Sequence, residues 1–371
     1  LQQVEALSAE MAPAMRRLLG IGRRVPDTTL RTTLCRIHPD ALRQALVRQV
    51  RAAHRRKALQ PQSLPFGVVA IDGKATAISS WDPHYAQKQV HSAGPGASGI
   101  VRTLTASLCT SAAKVCLDAS PIPAQTNEMG HLPTALAELH HAYGSLSLFK
   151  LLSCDAGLCS EHNARLIVEQ YGLHYLFGLK ADQPTLFDEA KRLLSRRTPS
   201  QALAHTVDVV SGTTVTRSLH ITSDMAGFHW DHSQTVLRVQ SVKRCSRTEL
   251  LIHRENRYFI CSLQSQALSA QQWLWVVRNH WAVENHCHWT WDAIFAEDDH
   301  PWITSGDRAP QGALAVMLLR RIAYNMLALF RSVTQRAEDR RQTPWRDLLR
   351  ALPGASSAFV SASCGHSSDL A

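Results

Sequence analysis

Three carboxylates lie where the surrounding sequence could bring them together for metal chemistry. Asp72 and Asp155 each end a short apolar run and have a glycine within two positions, in FGVVAIDGK and LFKLLSCDAG. This pattern predicts two buried strands whose last residues emerge into loops. Glu284 lies in a stretch, 269–296, that lacks Gly and Pro and carries apolar residues at helical intervals. Because Asp-Gly alone is common turn chemistry, the hypothesis depends on all three acids together.

Acids from two strand ends and one helix would form an all-oxygen site, which suits Mg²⁺ or Mn²⁺. Two such ions about 4 Å apart can clamp an in-line phosphoryl displacement. One ion lowers the pKa of a water or a DNA 3′-hydroxyl, and the other stabilises the leaving oxygen. We therefore expect Asp72, Asp155 and Glu284 to bind two ions, while the protein supplies no covalent nucleophile.

The elements that must position these acids alternate between strand and helix, which predicts an α/β core. Strands are predicted at 66–73, twice within 100–120, at 148–157 and at 174–180, with helices at 126–141, at 161–172 and from Pro184. Between 200 and 263 the spacing changes to period two, in HTVDVV, TVTRSLHIT, QTVLRVQSVKR, TELLIHR and RYFICSL. We interpret this region as a β-rich insertion that does not continue the α/β sheet. Ser269 is a candidate cap for the Glu284 helix, and a last core helix is predicted at 313–332.

The charge distribution indicates a polyanionic partner. The net charge is +10, and residues 1–60 contain twelve Lys and Arg against four acids. Two amphipathic helices are predicted there, at 5–19 and 39–57, with arginines on their polar faces. We expect a small basic helical segment that contacts nucleic acid. The alternative is an ordinary amphipathic helix pair with a solvated charged face.

Composition excludes several other classes of protein. The nine cysteines are scattered without paired knuckles, which favours reduced thiols in a cytosol over a disulfide framework. No window approaches eighteen uncharged apolar residues, so no membrane-spanning helix is expected. The first residues show no signal-peptide pattern. The chain also lacks an initiator methionine, which suggests a fragment or a processed start. The Ser-rich tail after Pro353 is expected to be disordered.

Four segments resemble a known family, the H-repeat-associated group of DDE-type bacterial insertion-sequence transposases. They are AIDGK (70–74), TNEM (126–129), CDAGLCSEHNARLIVEQYGLHYLFGLKADQ (154–183) and RNHWAVENHCHWTWDAIFAED (278–298). The resemblance runs from about Pro61 to Arg331. It implies a ribonuclease-H-like mixed sheet flanked by helices, with Asp72, Asp155 and Glu284 as the metal-binding triad and a β-rich insertion before the glutamate.

The resemblance also implies an activity and its partners. The family cleaves DNA at insertion-sequence ends and transfers the strand into target DNA, so the expected partners are element terminal repeats and target DNA, with a homodimer in the synaptic complex. We expect this to occur in the bacterial cytoplasm, at chromosomal DNA. The residues expected to contact DNA are Lys74, Lys180, Arg278, His280, Trp281 and Asn285.

The predicted organisation has five parts. A basic helical DNA-binding segment (1–60) precedes the first part of the catalytic domain (61–199) and the β-rich insertion (200–265). The segment 266–335 carries the catalytic glutamate and the closing helix, and 336–371 forms a tail.

Other interpretations remain open on the sequence. His280, Cys287 and His288 are chemically capable zinc ligands, although a fourth ligand at recognisable spacing is missing. The tryptophans of the Glu284 helix could stack on a splayed base or form core: Trp273, Trp275, Trp281, Trp289 and Trp291. The sequence after Glu297, DDHPWITSGD, lacks the arginines typical of the family, and only Arg217 matches its basic motif in the insertion. The intact acid triad favours an active transposase. The departures leave open a catalytically decayed remnant that binds DNA without cutting it, and a metal-dependent nuclease is a further alternative.

Overall fold

The computed structural model describes residues 1–78, 99–181, 183–227, 229–298, 309–334 and 343–348. The chain divides into two compact units. The first comprises Leu1–Arg48, Ala75–Arg102 and Trp289–Ala371, and the second comprises Gln49–Lys74 and Thr103–His288. The predicted tail beyond Pro353, and nearly all of the segment after Asp298 that departs from the family, lie outside the described residues.

Most helices form where the sequence predicts them, but the single helix predicted at 5–19 is two, and the helix Asp27–Leu34 was not predicted. The α-helices are α1 (Gln2–Glu10), α2 (Pro13–Leu18), α3 (Asp27–Leu34), α4 (Pro39–Arg55), α5 (Glu128–Tyr143), α6 (Glu161–Arg165), α7 (Pro184–Leu194), α8 (Ala270–His280) and α9 (Ala309–Leu329). Wider π-helical turns follow three of them, at Leu166–Gln170, Val283–His288 with Thr290–Ile294, and Phe330–Thr334. The predicted helix at 269–296 is therefore α8 followed by π-helical turns, and Ser269 caps it through a reciprocal bond pair with Gln272.

One mixed sheet of nine strands lies wholly or largely in the second unit. Its strands are β1 (Val68–Ile78), β2 (Gly99–Leu108), β3 (Cys116–Pro121), β4 (Leu151–Cys154), β5 (His174–Leu179), β6 (Ala204–Val210), β7 (Thr213–Thr222), β8 (Thr235–Cys245) and β9 (Leu251–Cys261). Their order across the sheet is β3-β2-β1-β4-β5-β9-β8-β7-β6. The pairs β1–β4 and β4–β5 are parallel, whereas β2–β3 and all described pairs from β5–β9 onward are antiparallel. The predicted mixed α/β fold with flanking helices is confirmed.

The apolar runs before the two aspartates are central parallel strands. Val68, Val69 and Ala70 are fully buried, and β4 is buried along its length. Strands covered on both faces need apolar residues at consecutive positions, which explains why these runs do not alternate. The apolar face of α8, including Trp273 and Val277, packs in the same hydrophobic core as Val68 and Leu151.

The interpretation of 200–263 as separate from the α/β sheet was wrong. Strand β9 pairs with β5, from Leu176 opposite Cys261 to Leu179 opposite Tyr258, so β6–β9 extend the same sheet. The two segments TELLIHR and RYFICSL are also one strand rather than two. Only Glu255 and Asn256 separate the two segments, and both residues lie within β9.

The first unit contains a buried ion pair between Glu297 and Arg321, and Arg321 lies on α9. Glu297 and Arg321 are both fully buried and bonded to each other, and Thr76 Oγ1 donates to Glu297 Oε1 over 3.3 Å. The Arg321 guanidinium lies 3.7 Å from the ring centroid of Trp291. The buried charge of Arg321 therefore has a buried counter-charge in Glu297.

One helix differs from the expectation that the chain has no membrane-spanning candidate. The segment Gln311–Ser332 is long and apolar enough to cross a membrane by length and composition alone. More than half of it is buried within the protein, and it contains the ion-paired Arg320 and Arg321. These features are those of a core helix, which agrees with the core helix predicted at 313–332.

Candidate functional site

The register of two parallel strands brings Asp72 next to Asp155. In the β1–β4 pair, Ile71 is the partner of Cys154, and each aspartate is the next residue of its chain segment. Asp155 directly follows β4, and Asp72 lies within β1 where its pairing with β4 stops, so the two carboxylates are neighbours at the carboxyl end of β4. The predicted end of the first strand near residue 73 was wrong, because β1 continues to Ile78. The Asp72 side chain is 19% exposed and that of Asp155 33%, so both carboxylates are partly accessible to solvent.

Glu284 reaches the site from the π-helical turn that follows α8. A buried hydrogen bond of 3.0 Å joins His280 Nδ1, one turn before Glu284, to Ser153 Oγ, two residues before Asp155. Glu284 itself is exposed. Extra residues in a helical turn are frequent at functional sites because they redirect side chains. The helix that carries the glutamate is therefore tied to the strand that carries the second aspartate.

The charges of the three acids interact. Burial, followed by the negative charges of Glu284, Asp155 and Glu128, raises the pKa of Asp72 to about 7. His288 Nδ1 lies 3.5 Å from Asp72 Oδ2. The sequence prediction that these three acids converge is consistent with this interaction. Among the described residues, however, no three His, Cys, Asp or Glu side chains are arranged closely enough to surround one metal ion.

Glu128 is a fourth acid at the site that the sequence analysis did not identify. It lies in the first turn of α5, which Asn127 caps by accepting a bond from Gly130 N. Its carboxylate packs on Gly73, where a Cβ atom would come within 2.8 Å of Oε2. The glycine after Asp72 thus leaves space for this carboxylate. The signal was present in the TNEM segment, but its contact with Gly73 is tertiary.

A cavity of about 420 Å³ adjoins Asp155 and Glu284. Lys180 lies on its wall with Nζ 3.8 Å from Asp155 Oδ2, and Trp281 lies beside it. Arg257, which the sequence analysis did not identify, also lines the cavity, with its guanidinium 4.2 Å from the Trp281 ring centroid. The cavity wall therefore combines cationic and aromatic side chains next to the acids.

The other predicted DNA contacts differ in accessibility. His280 is only 7% exposed and burial lowers its pKa to about 4, so it is neutral near pH 7, unlike the basic DNA-contacting residue that was predicted. Lys74 is also buried. Arg278 is partly exposed and forms an ion pair of 2.9 Å with Asp208, while Asn285 is exposed.

The zinc interpretation gains no support from the geometry. Cys287 is buried and lies 3.3 Å from Ser107 Oγ, and in the described part of the chain no zinc-type ligand group forms around it. The tryptophans divide between the two interpretations: Trp273 and Trp291 are fully buried, whereas Trp289 is 52% exposed. Trp275 and Trp281 are intermediate.

The chain is similar in sequence to two known bacterial proteins. No family model matches the chain. Two Escherichia coli K12 proteins, YbfL and the "H repeat-associated putative transposase YhhI", are each 26% identical over 289 residues. Each match covers 74% of this chain and 67% of the relative. The resemblance to this group that the four sequence segments indicated is confirmed.

Among solved structures, the chain is similar to the piggyBac transposase in a synaptic complex with hairpin DNA. The TM-score is 0.42 with 13% identity, over 84% of this chain and 55% of the other. The chain thus spans little more than half the length of that structure.

Proposed function

We propose, from the relation of this chain to the H-repeat-associated group, that it is a DDE-type DNA transposase. It would cleave DNA at the ends of an insertion sequence and transfer the freed 3′-hydroxyl to target DNA. Asp72, Asp155 and Glu284 would form its metal-binding triad.

The strand arrangement supports a ribonuclease-H-like catalytic core. The first five strands have the order β3-β2-β1-β4-β5, with parallel pairs on both sides of β4. In such sheets, binding sites form beyond the carboxyl ends of the parallel strands. Asp155 follows the carboxyl end of β4, and Asp72 lies beside it on β1.

The observation that carries the proposal is geometric: Asp72 lies beside Asp155 in the β1–β4 register, and the helix that bears Glu284 is bonded to β4 through His280 and Ser153. Residues 72, 155 and 284 are far apart in sequence, yet the charges of Glu284 and Asp155 both act on Asp72. Fold stability alone does not favour like charges in a partly buried place, whereas a divalent cation between the carboxylates would attract both and offset their repulsion. Carboxylate oxygens are the ligands that Mg²⁺ and Mn²⁺ prefer, so the donor set fits the proposed pair of ions. Bound there, the ions would activate the attacking hydroxyl and stabilise the leaving oxygen.

The remaining side chains would position the acids and the DNA. The Ser153–His280 hydrogen bond holds the glutamate-bearing helix on β4. Lys180, whose side chain is 67% exposed, lies next to Asp155 and could pass from that carboxylate to a DNA phosphate. His280 is proposed as a positioning residue because its burial and neutral form do not suit a phosphate contact.

The proposed partners are element terminal repeats and target DNA, bound in the bacterial cytoplasm by a homodimer. The net charge of +10 supports a polyanionic partner. Several cations of the N-terminal helices are exposed, including Arg48, Arg55, Arg56 and Lys57.

A strand-transfer assay tests this function against its alternatives. The full chain is incubated with Mg²⁺ or Mn²⁺, a labelled duplex that carries the sequence flanking its gene, and a supercoiled target plasmid. Label joined to the plasmid supports the transposase. Cleaved but unjoined label would indicate a nuclease, and tight binding without cleavage would indicate a decayed remnant.

A further inference from the structure

Two cations line the cavity beside Asp155 and Glu284, and each is paired with an acid of the same chain. Lys180 pairs with Asp155 at 3.8 Å, and Arg257 Nε donates to Glu255 Oε1 at 2.7 Å. Glu255 and Arg257 are two positions apart on β9, so their side chains lie on the same face of the strand. The Glu255 carboxylate is therefore the anion that Arg257 binds in this structure.

Trp281 fixes the Arg257 guanidinium. The guanidinium carbon lies 4.2 Å from the Trp281 ring centroid, within the range of a cation–π interaction. Trp281 is itself held by an edge-to-face contact with Phe259, with ring centroids 6.3 Å apart. Because Trp281 is three residues before Glu284, the guanidinium is positioned by the same helical segment that carries the proposed catalytic acid.

The pair with Glu255 is one that an incoming anion could replace. The side chains of Arg257 and Glu255 are 43% and 37% exposed, and pairs this exposed are weak. The described hydrogen bond uses Nε, whereas a guanidinium presents five donors in a planar fork that matches a phosphate. A phosphate could therefore form more charge-assisted bonds to Arg257 than Glu255 does.

We propose that Arg257 binds a backbone phosphate of the DNA strand in this cavity, and that Glu255 takes the place of that phosphate until DNA displaces it. This inference rests on the proposed function, since it assumes that the cavity receives DNA. It identifies Arg257 on β9 as a residue that contacts DNA, and Glu255 as an acid that weakens DNA binding.

The test measures the affinity of the full chain for a labelled duplex carrying the gene-flanking sequence, by fluorescence anisotropy in EDTA, so that metal binding does not contribute. Arg257→Gln should raise Kd about tenfold, the usual effect of losing one charge-assisted contact. It should also reduce the slope of log K against log salt by about 1. Arg257→Lys should bind more weakly than wild type, since an ammonium does not reproduce the planar fork. Glu255→Gln should bind severalfold more tightly.

A matched pair provides the control. Arg192 Nε donates to Glu189 Oε2 on α7 at 2.7 Å, and neither residue lines the cavity. Arg192→Gln should change Kd by less than the Arg257 variant, and circular dichroism of each variant checks folding. The double variant R257Q/E255Q should remain weaker than wild type, because the phosphate contact itself is lost.

The outcomes separate this inference from the proposed function. If the wild-type chain binds no DNA, the proposed function fails. If the wild type binds DNA and folded R257Q binds as tightly, or if R257Q/E255Q recovers wild-type affinity in full, the Arg257 assignment is overturned. Weaker binding by E255Q would overturn the role of Glu255.

Discussion

Ser153 and His280 form a buried hydrogen bond, 3.0 Å between Oγ and Nδ1, that joins the strand of Asp155 to the helix of Glu284. The two residues are 127 positions apart in sequence. Each is close in sequence to one of the proposed catalytic acids, so the bond sets the relative position of those acids. This gives His280 a structural role that its place in a motif rich in charged and aromatic residues did not indicate.

The protonation of His280 should make stability depend on pH. Burial lowers the folded-state pKa of His280 to about 4, below the unfolded value of about 6.5. The stability that neutral His280 contributes is therefore complete above pH 6.5 and is lost as pH falls toward 4. Through this group the wild type should lose about 2 kcal/mol of unfolding free energy between pH 7 and pH 5. His280→Asn, which can keep a bond to Ser153, should lack this component. Urea unfolding at both pH values measures it.

The exposed residue His141 offers a control for that experiment. His141→Asn should keep the pH dependence of the wild type. The account of His280 is wrong if His280→Asn retains the full wild-type difference between pH 7 and pH 5.

The N-terminal helices should contribute strongly to the salt dependence of DNA binding. Arg55, Arg56 and Lys57 are exposed at the end of α4, and each phosphate contact releases counterions. If all three contact phosphates, R55Q/R56Q/K57Q should reduce the slope of log K against log salt by about 2 to 3. Anisotropy titrations between low and moderate salt measure this slope.

A triple variant on another surface removes the same charge. K191Q/R196Q/R197Q changes residues at the end of α7 and just after it. Equal reductions by the two triple variants would show a general effect of net charge and would contradict a binding face on α4.

The buried ion pair of the first unit should be important for stability. Glu297→Gln would leave the fully buried Arg321 without its charged partner. Removing one member of a buried pair costs about 3 to 5 kcal/mol. Glu189→Gln breaks an exposed pair with Arg192 and should cost less than about 1 kcal/mol. Comparable effects of the two variants on urea unfolding would contradict this assignment.

The sequence predicted the parts of the fold that depend on local pattern. Apolar runs that end in an acid identified β1 and β4, and helical spacing with the Ser269 cap identified α8. It could not predict the pairing of β9 with β5, because pairing partners depend on tertiary packing. For the same reason the two period-two segments on either side of Glu255 and Asn256 were not recognised as one strand.

For the candidate site, the residue types could be identified from the sequence, but their surroundings could not. Lys180 and Trp281 line the cavity, whereas His280 is buried and neutral. Glu128 and Arg257 reach the site through contacts with Gly73 and Trp281, which no spacing rule encodes. Side-chain burial decides such roles, and burial follows from packing between distant segments.

Asp155→Asn and Glu284→Gln show whether the three acids carry metal-dependent DNA cleavage. Cleavage of the gene-flanking duplex is measured with Mg²⁺ or Mn²⁺, alongside DNA affinity and the control Asp188→Asn on α7. Wild type and D188N should cut, whereas both triad variants should lose activity on the order of a thousandfold, because they lose charge at the metal site, and should bind DNA nearly as tightly as wild type. Equal cleavage by wild type and D155N, or parallel loss of binding and cleavage, would contradict the account.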